Sequence, residues 1–431
     1  MRLAIINGEV INPAGESGRL DIYIEDGKVI DMGQALGDSG ADKVIDAKGL
    51  CIFPGFIDMH SHLREPGYEY KEDIKSGSNA AAKGGFTAVA CMADTKPVAD
   101  CAAVITAVRT IAKKDAAVRI YPVGAVTKAL EGSELAEMGG MLKAGAVAFS
   151  DAQKSVMNAG LLRMAMLYAK SFGALIISKC EDEKLALGGV MNEGAVADAL
   201  GLLGIPKSAE ESHIMRDILI ARDTGARLHI TQVSTRGGID IIRWAKKQGI
   251  EVSCDTAPHY FSGTEEMCEG YDANAKVSPA LRTNDDVEAI IEAICDGTID
   301  AVSSGHAPHH PDEKNVEFAA AEFGISSLES AVSLAVTNLV KPGVCGGEAL
   351  ARLMSVNPAK LLGVKGGVIK KGEAADITIV NMAEEYELTQ EDWVSKGKNT
   401  PFFGRRPLGR VTHTLVEGRS AYEYAREEPK K

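Results

Sequence analysis

Eight short apolar segments run through the middle of this chain with helix-like stretches between them, and no other feature constrains its fold as tightly. They are CIFPGFIDMH, TAVACM, RIYPVGAV, AVAFS, ALIISKC, RLHITQV, IEVSCDT and IDAVSSG. Between successive segments lie amphipathic stretches such as DCAAVITAVRTIAKKD, NAGLLRMAMLYAKSFG and NDDVEAIIEAICDG. Strands alternating with helices are the mark of a parallel α/β sheet. Eight such units over roughly 300 residues fit a (β/α)8 barrel, whose usual size is ~250 residues with room for insertions. A doubly wound open sheet would carry a glycine-rich phosphate loop after its first strand. Here HSHLREPG follows instead, with no G-x-G-x-x-G. The expected fold is therefore α/β, a barrel whose chemistry lies at the C-terminal ends of its strands.

The two ends of the chain have a different texture. LAIINGEVI, DIYIEDGKVIDMG and KVIDAKGLCIF alternate Ile and Val with Asn-Gly, Asp-Gly and Lys-Gly steps, which predicts hairpins. KKGEAADITIVNM and RVTHTLVEGRSAYEY repeat that texture near the end. The reading is one small β domain built from residues 1–52 and 364–431, with the barrel, 53–363, inserted between its halves.

Composition excludes several function classes. Lys and Arg total 47 against 60 Asp and Glu, a net charge of −13, with no basic run to suit nucleic acid or an anionic membrane. No apolar stretch reaches the ~18–20 residues a bilayer span needs. The opening MRLAIINGEVINPAG lacks the basic segment and apolar core of a signal peptide. None of the eight cysteines pairs as C-x-x-C, so they read as reduced thiols in a cytoplasmic protein.

His60 and His62 stand at the end of the first barrel segment, in DMHSHLREPG. Residues i and i+2 of a strand share a face, so both imidazoles can point into the barrel mouth and share a metal. The bland alternative is a pair of polar residues that hydrogen-bond locally.

The surrounding text is more specific. HSHLREPG, AAAKGGFTAVACM, DTAPHYF, LRTNDDVEAII, GHAPHHPDEKN, FGISSLE, NPAKLLG, KGEAADITIV and GKNTPFFG occur in that order along the whole chain. Together they closely resemble the cyclic amidohydrolases and, within them, the bacterial dihydroorotases of the longer type. That resemblance implies reversible closure of N-carbamoyl-L-aspartate into dihydroorotate, at a site with one or two zinc ions. Such a metal polarises the amide carbonyl and lowers the pKa of a bound water.

The resemblance also implies a ligand set, and this chain departs from it. The strand-one pair His60 and His62 is retained. After strand four the family has an aspartate where this chain has Ala152, with Asp151 kept before it and Gln153 replacing a glycine. Lys179 stands at the strand-five histidine position and Gln232 at the strand-six one. Gly305 stands at the strand-eight aspartate, which in the family also shuttles the proton. By strand alternation, Asp151, Cys180 and His229 have the wrong parity to substitute. An ammonium at Lys179 repels a divalent cation, although a deprotonated or carboxylated lysine could ligate one.

On the substrate side the resemblance assigns Arg64 and His309 to carboxylate binding, and both are retained. The companion asparagine is Asp94, preceded by Ala93 in place of a proline. Ser278 replaces an asparagine that reads the ring, and Ala280 replaces a proline. The departures gather at strand ends, while turn and core motifs such as GGFT and TAPHYF match.

Three functions follow. The first is a dihydroorotase-like pseudoenzyme, inactive or severely impaired, with zinc weak or absent. The second is an active zinc-dependent dihydroorotase with an atypical metal site. The third is a non-catalytic binding module for a small dicarboxylate, resting on Arg64 and His309. By analogy the partner is a second copy of the chain or an aspartate transcarbamoylase-type protein, with neither nucleic acid nor membrane involved.

Overall fold

The computed structural model describes residues 2–37 and 40–425, so the outer limits expected for the β domain, residues 1 and 426–431, lie outside the described residues. Eight parallel strands form the central sheet: β1 (Phe56–Ser61), β2 (Phe86–Cys91), β3 (Arg119–Gly124), β4 (Ala148–Phe149), β5 (Leu175–Lys179), β6 (Arg227–Thr231), β7 (Val252–Thr256) and β8 (Ala301–Val302). They pair in sequence order, and each coincides with a segment expected from the sequence, β1 and β2 overrunning theirs by one residue at Ser61 and Phe86. Ile57, Met59, Ala88, Ala90, Val123, Ala148, Leu175, Ile177 and Ala301 fill the barrel interior as one apolar cluster. Such a barrel is a packed core and not a pore.

Helices return the chain from the end of one strand to the start of the next. Their first turns are fixed by side chains set just beyond the strand ends. Thr235 accepts from the Gly238 N–H at the start of helix Arg236–Lys247, and Asp73 forms a capping box with Ser76 on helix Ile74–Lys83. Each such cap satisfies backbone donors that the helix leaves orphaned.

The ring closes where β8 meets β1. Ser61 bridges His306, and the His62 N–H donates 2.8 Å to the His306 carbonyl. Asp58, fully buried on β1, accepts from the Ser304 N–H at 2.6 Å and from its hydroxyl at 2.7 Å. Ser61 Oγ donates to the same carboxylate. Burial pushes the Asp58 carboxyl above its ordinary range, and the Ser61 and Ser304 donors oppose that rise.

Both ends of the chain contribute to the sheets outside the barrel. Strand Ile377–Glu385 lies antiparallel to Cys51–Pro54, which also pairs with Glu9–Val10, inside a six-stranded sheet. A second, four-stranded sheet holds Arg2–Ile6, Asp21–Glu25, Lys28–Gly33 and Lys43–Asp46. Ile5, Ile22, Ile24, Ile52, Ile377 and Leu415 share one apolar cluster across the two sheets.

Two of the expected hairpins do not form. Asp26-Gly27 does turn Asp21–Glu25 back onto Lys28–Gly33, with both φ angles positive as such a turn requires. Asn7-Gly8 and Lys48-Gly49 instead pass the chain from one sheet to the other. The strands on either side of each step find their partners elsewhere, so sheet-to-sheet packing overrides local turn chemistry. A short parallel pair, Met191–Asn192 with Gly204–Ile205, lies between β5 and β6 and has no counterpart in the sequence reading. The buried Arg282 secures it, donating to Asn192 Oδ1 and the Ile205 carbonyl at 3.0 Å each and pairing with Glu210. All eight cysteines are free thiols, and no helix among the described residues is long and apolar enough to cross a membrane.

Removing the Asp58 carboxylate takes the acceptor from three buried donors at the seam, the Ser304 N–H and the Ser61 and Ser304 hydroxyls. Asp58→Ala is expected to lower unfolding free energy by about 2–3 kcal/mol, against about 1 kcal/mol for Ser304→Ala. Urea denaturation of the two variants checks this; equal, small losses would mean that the seam is held by other contacts.

Candidate functional site

The C-terminal ends of the eight strands converge on a polar cluster in which most side chains are buried. His60 and His62 are fully enclosed, with their Nε2 atoms 3.1 Å apart. Their partners fix the tautomers. Thr231 Oγ1 donates to Asp255, so it accepts from His60 Nδ1 at 3.1 Å. Asp94 is a carboxylate, so His62 Nδ1 donates to its Oδ1 at 2.7 Å. Both Nε2 atoms therefore carry bare lone pairs, and the Gln153 amide lies 2.9 Å from that of His62. Burial drives His60 well below the ordinary imidazole range and lowers His62 as well, despite Asp94 beside it.

Asp94 is the hub of the substrate side. Its Oδ2 receives Arg64 Nη1 at 2.7 Å while its Oδ1 holds His62. Burial raises the Asp94 carboxyl, but His62 and Arg64 beside it outweigh that rise and hold the group well below the usual carboxylate range. The rest of the guanidinium is also engaged, with Nε donating to the Pro308 carbonyl at 3.3 Å and Nη2 lying 3.3 Å from His309 Nε2. His309 faces Glu313 and Lys71, which pair at 2.8 Å; burial, then Arg64 and Lys71, keep its imidazole neutral. Arg64 and His309 thus meet as the sequence suggested, but Arg64 meets them already carrying a carboxylate.

Lys179 lies 5% exposed at the end of β5. It donates to Ser278 Oγ at 2.5 Å and to the Gln153 carbonyl at 3.2 Å, with Glu181 Oε1 3.6 Å away. Sequence reasoning passed over Glu181, yet it stands two residues beyond Lys179, the spacing that puts two strand residues on one face. Glu181 Oε2, Gln232 Oε1 and His259 Nδ1 are buried without a hydrogen-bond partner.

The parity argument for excluding neighbours holds for two residues and fails for the third. Asp151 turns toward the adjacent strand end, accepting from the Val126 and Thr127 N–H groups, and Cys180 faces Ser178 and Asp217. His229 does face inward, on the side of β6 shared with Thr231, and sits beneath His60. The alternation is broken because Gln232 has φ +59°, so counting back from it assigns the wrong face. His229 is withheld from the mouth by its bonds to Ser253 Oγ and Asp255 instead. Ala152 and Gly305 share that left-handed backbone, at φ +56° and +64°. Ala152 packs into the apolar cluster of the barrel interior.

Gly305 is tightly enclosed. A Cβ there would stand 2.6 Å from Gln232 Nε2 and 2.9 Å from His259 Cε1. Ala280 is buried away from the mouth, against Ala186, Ile205 and Ala209. Among the described residues no group of three or more His, Cys, Asp or Glu side chains is arranged to hold a metal ion.

A parallel barrel joined to a sheet built from both chain ends, with its polar cluster at the C-terminal strand ends, defines an amidohydrolase-fold protein. Residues 49–238 match the family described as dihydro-orotase-like. The chain is 46% identical to the dihydroorotase of Caldanaerobacter subterraneus subsp. tengcongensis over 98% of both chains. It is 49% identical to that of Pelotomaculum thermopropionicum over 97% of this chain and 98% of the other. The L-hydantoinase (dihydropyrimidinase) of Arthrobacter aurescens superposes with a TM-score of 0.88 at 25% identity, covering 98% of this chain and 96% of that one. The chain belongs to the dihydroorotase family.

The enclosure of Gly305 yields a stability test. Gly305→Ala combines a left-handed backbone with a steric clash and is expected to lose about 1–2 kcal/mol or more. Shortening the obstructing amide should restore part of that loss, giving a coupling energy of about 0.5 kcal/mol or above in a cycle with Gln232→Ala. Strictly additive losses in chemical denaturation would show that Gln232 does not fill this space.

Proposed function

We propose that this chain keeps the dihydroorotase fold but no longer supports the family reaction, reversible closure of N-carbamoyl-L-aspartate into dihydroorotate in pyrimidine biosynthesis. The observation that carries this reading is the set of groups at the strand ends. His60 and His62 bring two imidazole nitrogens together there, beside Ala152, Lys179, Gln232 and Gly305. A catalytic zinc takes about three protein ligands and a water. Two imidazoles beside a buried ammonium do not fit that ion.

The proton chemistry is equally depleted. Gly305 has no side chain to take or return a proton, and a general acid–base group is worth roughly 10²–10⁴-fold in rate. Asp94 and Glu181 are two of the carboxylates at the strand ends. Asp94 is bound by Arg64 and His62, and Glu181 lies beside Lys179 and Ser278. Orientation of the substrate suffers too, since Arg64 is not free to grip a carboxylate and Ser278 is committed to Lys179. The barrel then serves as a scaffold, and the resemblance suggests a second copy or an aspartate transcarbamoylase-type partner.

One observation favours the second reading, a working enzyme with an atypical zinc site. The bare Nε2 atoms of His60 and His62 converge, and the Gln153 amide reaches the same point. Reversed end for end, that amide would add an oxygen ligand.

Metal content and turnover, measured together on the purified chain, separate the readings. The expected result is substoichiometric zinc, lost to a mild chelator, and no turnover of carbamoyl aspartate above background. Stoichiometric metal with turnover would refute the proposal. The converse test is restoration of Ala152→Asp, Lys179→His, Gln232→His and Gly305→Asp together. Metal binding should return in the fourfold variant and not in the single ones, because ligands of one centre act as a unit. Activity should still wait for Asp94→Asn and Ser278→Asn. A folded, metal-loaded sixfold variant that stays inert would place the fault elsewhere in the scaffold.

A further inference from the structure

We propose that Asp94 is a built-in occupant of a carboxylate seat formed by Arg64 and His62, that it excludes external carboxylates from the barrel mouth, and that vacating it creates a receptor for small carboxylates. The seat is known to suit a carboxylate because it holds one. Arg64 Nη1 meets Oδ2 and His62 Nδ1 meets Oδ1, each at 2.7 Å, so both oxygens of one carboxylate are bound by separate donors. Hydrogen bonds with an ionised partner are roughly twice as strong as neutral ones, and the two-point geometry selects a planar anion.

A tethered anion holds such a seat more firmly than a free one. A short tether supplies an effective concentration in the millimolar range or above, before any ordering of the backbone is counted. The Asp94 side chain is 18% exposed, while Arg64 and His62 behind it are 7% and 0% exposed. Asp94 is therefore the outermost member of the trio, and truncating it opens a path to two buried donors left without an acceptor. Such unpaired donors impose a desolvation penalty that an incoming carboxylate relieves. The remaining Arg64 atoms keep the guanidinium in place, since Nε stays on the Pro308 carbonyl. The ligand class is a small carboxylate, such as formate or acetate in the fully vacated seat, or one end of a dicarboxylate.

The proposal deepens the reading of a catalytically silent mouth and rests on it in one respect, that the unmodified chain is not already binding a dicarboxylate substrate. Turnover of carbamoyl aspartate by the unmodified chain would sink both ideas. A vacated seat that ignores carboxylates sinks this one alone.

The experiment is chemical rescue read by thermal melting and calorimetry. Asp94→Ala should melt below the unmodified chain, and tens of millimolar formate or acetate should raise it again. Chloride and sulfate at matched ionic strength should not. The unmodified chain should show no carboxylate-specific response, a difference of about tenfold or more in apparent affinity. The same anions should do nothing for Arg64→Met combined with Asp94→Ala. Should Asp94→Ala fail to fold, Asp94→Ser ends short of Arg64 and His62 and should show the same response to formate where the unmodified chain does not. Three results would overturn the proposal: an equal response from the unmodified chain, silence from folded variants of both kinds, or a response that survives loss of Arg64.

Discussion

Asp58 accepts from Ser61 on its own strand and from Ser304 beyond β8, and that seam decides where every group at the mouth can sit. Closing the ring there brings the turn after β8 against the end of β1, so that the His306 carbonyl receives the N–H of His62. The histidine pair and the glycine at position 305 are thereby set on adjoining strand ends, though they lie more than 240 residues apart in sequence. A barrel has no edge, so each strand end is located by two neighbours and the polar cluster inherits that rigidity. The chemistry available to the chain is then a matter of which side chains stand at those fixed points.

What stands there is a set of charges that neutralise one another. Arg64 and Asp94 pair, with His62 on the second oxygen; Lys179 lies beside Glu181; Lys71 pairs with Glu313 beside His309. Buried charges persist only when paired and hydrogen-bonded, and removing one member leaves the other uncompensated. Lys179 follows the same logic, lying 3.6 Å from Glu181 Oε1 while it donates a hydrogen bond to Ser278 Oγ at 2.5 Å.

The sequence made the barrel legible because eight apolar segments and their intervening helices each carry a strong local signal. It also placed His60, His62, Arg64 and His309 together, since short-range alternation and the family motifs agree there. Legibility ended where the backbone turns left-handed. Arg64, Ala152, Gln232 and Gly305 all have positive φ, and a single such residue reverses the alternation on which a facing argument rests. His229 was assigned outward for that reason, although it lies inside. The N-terminal Asn-Gly and Lys-Gly steps misled in a different way, because turn chemistry reports a local preference and the pairing of two sheets is a global one. Glu181 and Asp255 escaped notice because their importance lies in partners brought together only by the ring.

The geometry around Gly305 also explains why departures at separate strands belong to one arrangement. Gln232, from the end of β6, projects its amide to within 2.6 Å of where a Cβ on Gly305 would lie, and His259 closes the other side. A side chain at 305 and the present position of Gln232 are therefore mutually exclusive. With the glutamine there, a side chain at 305 fits only if its neighbours are displaced. Close packing makes such pairs bistable rather than graded, because a filled space cannot be shared. The strand-six and strand-eight positions are hence linked by volume. Gln232 Oε1 is left buried without a partner in that arrangement. The mouth has thus accepted an unsatisfied acceptor in exchange for a closed packing, a trade that works against ligand entry at the strand-eight end.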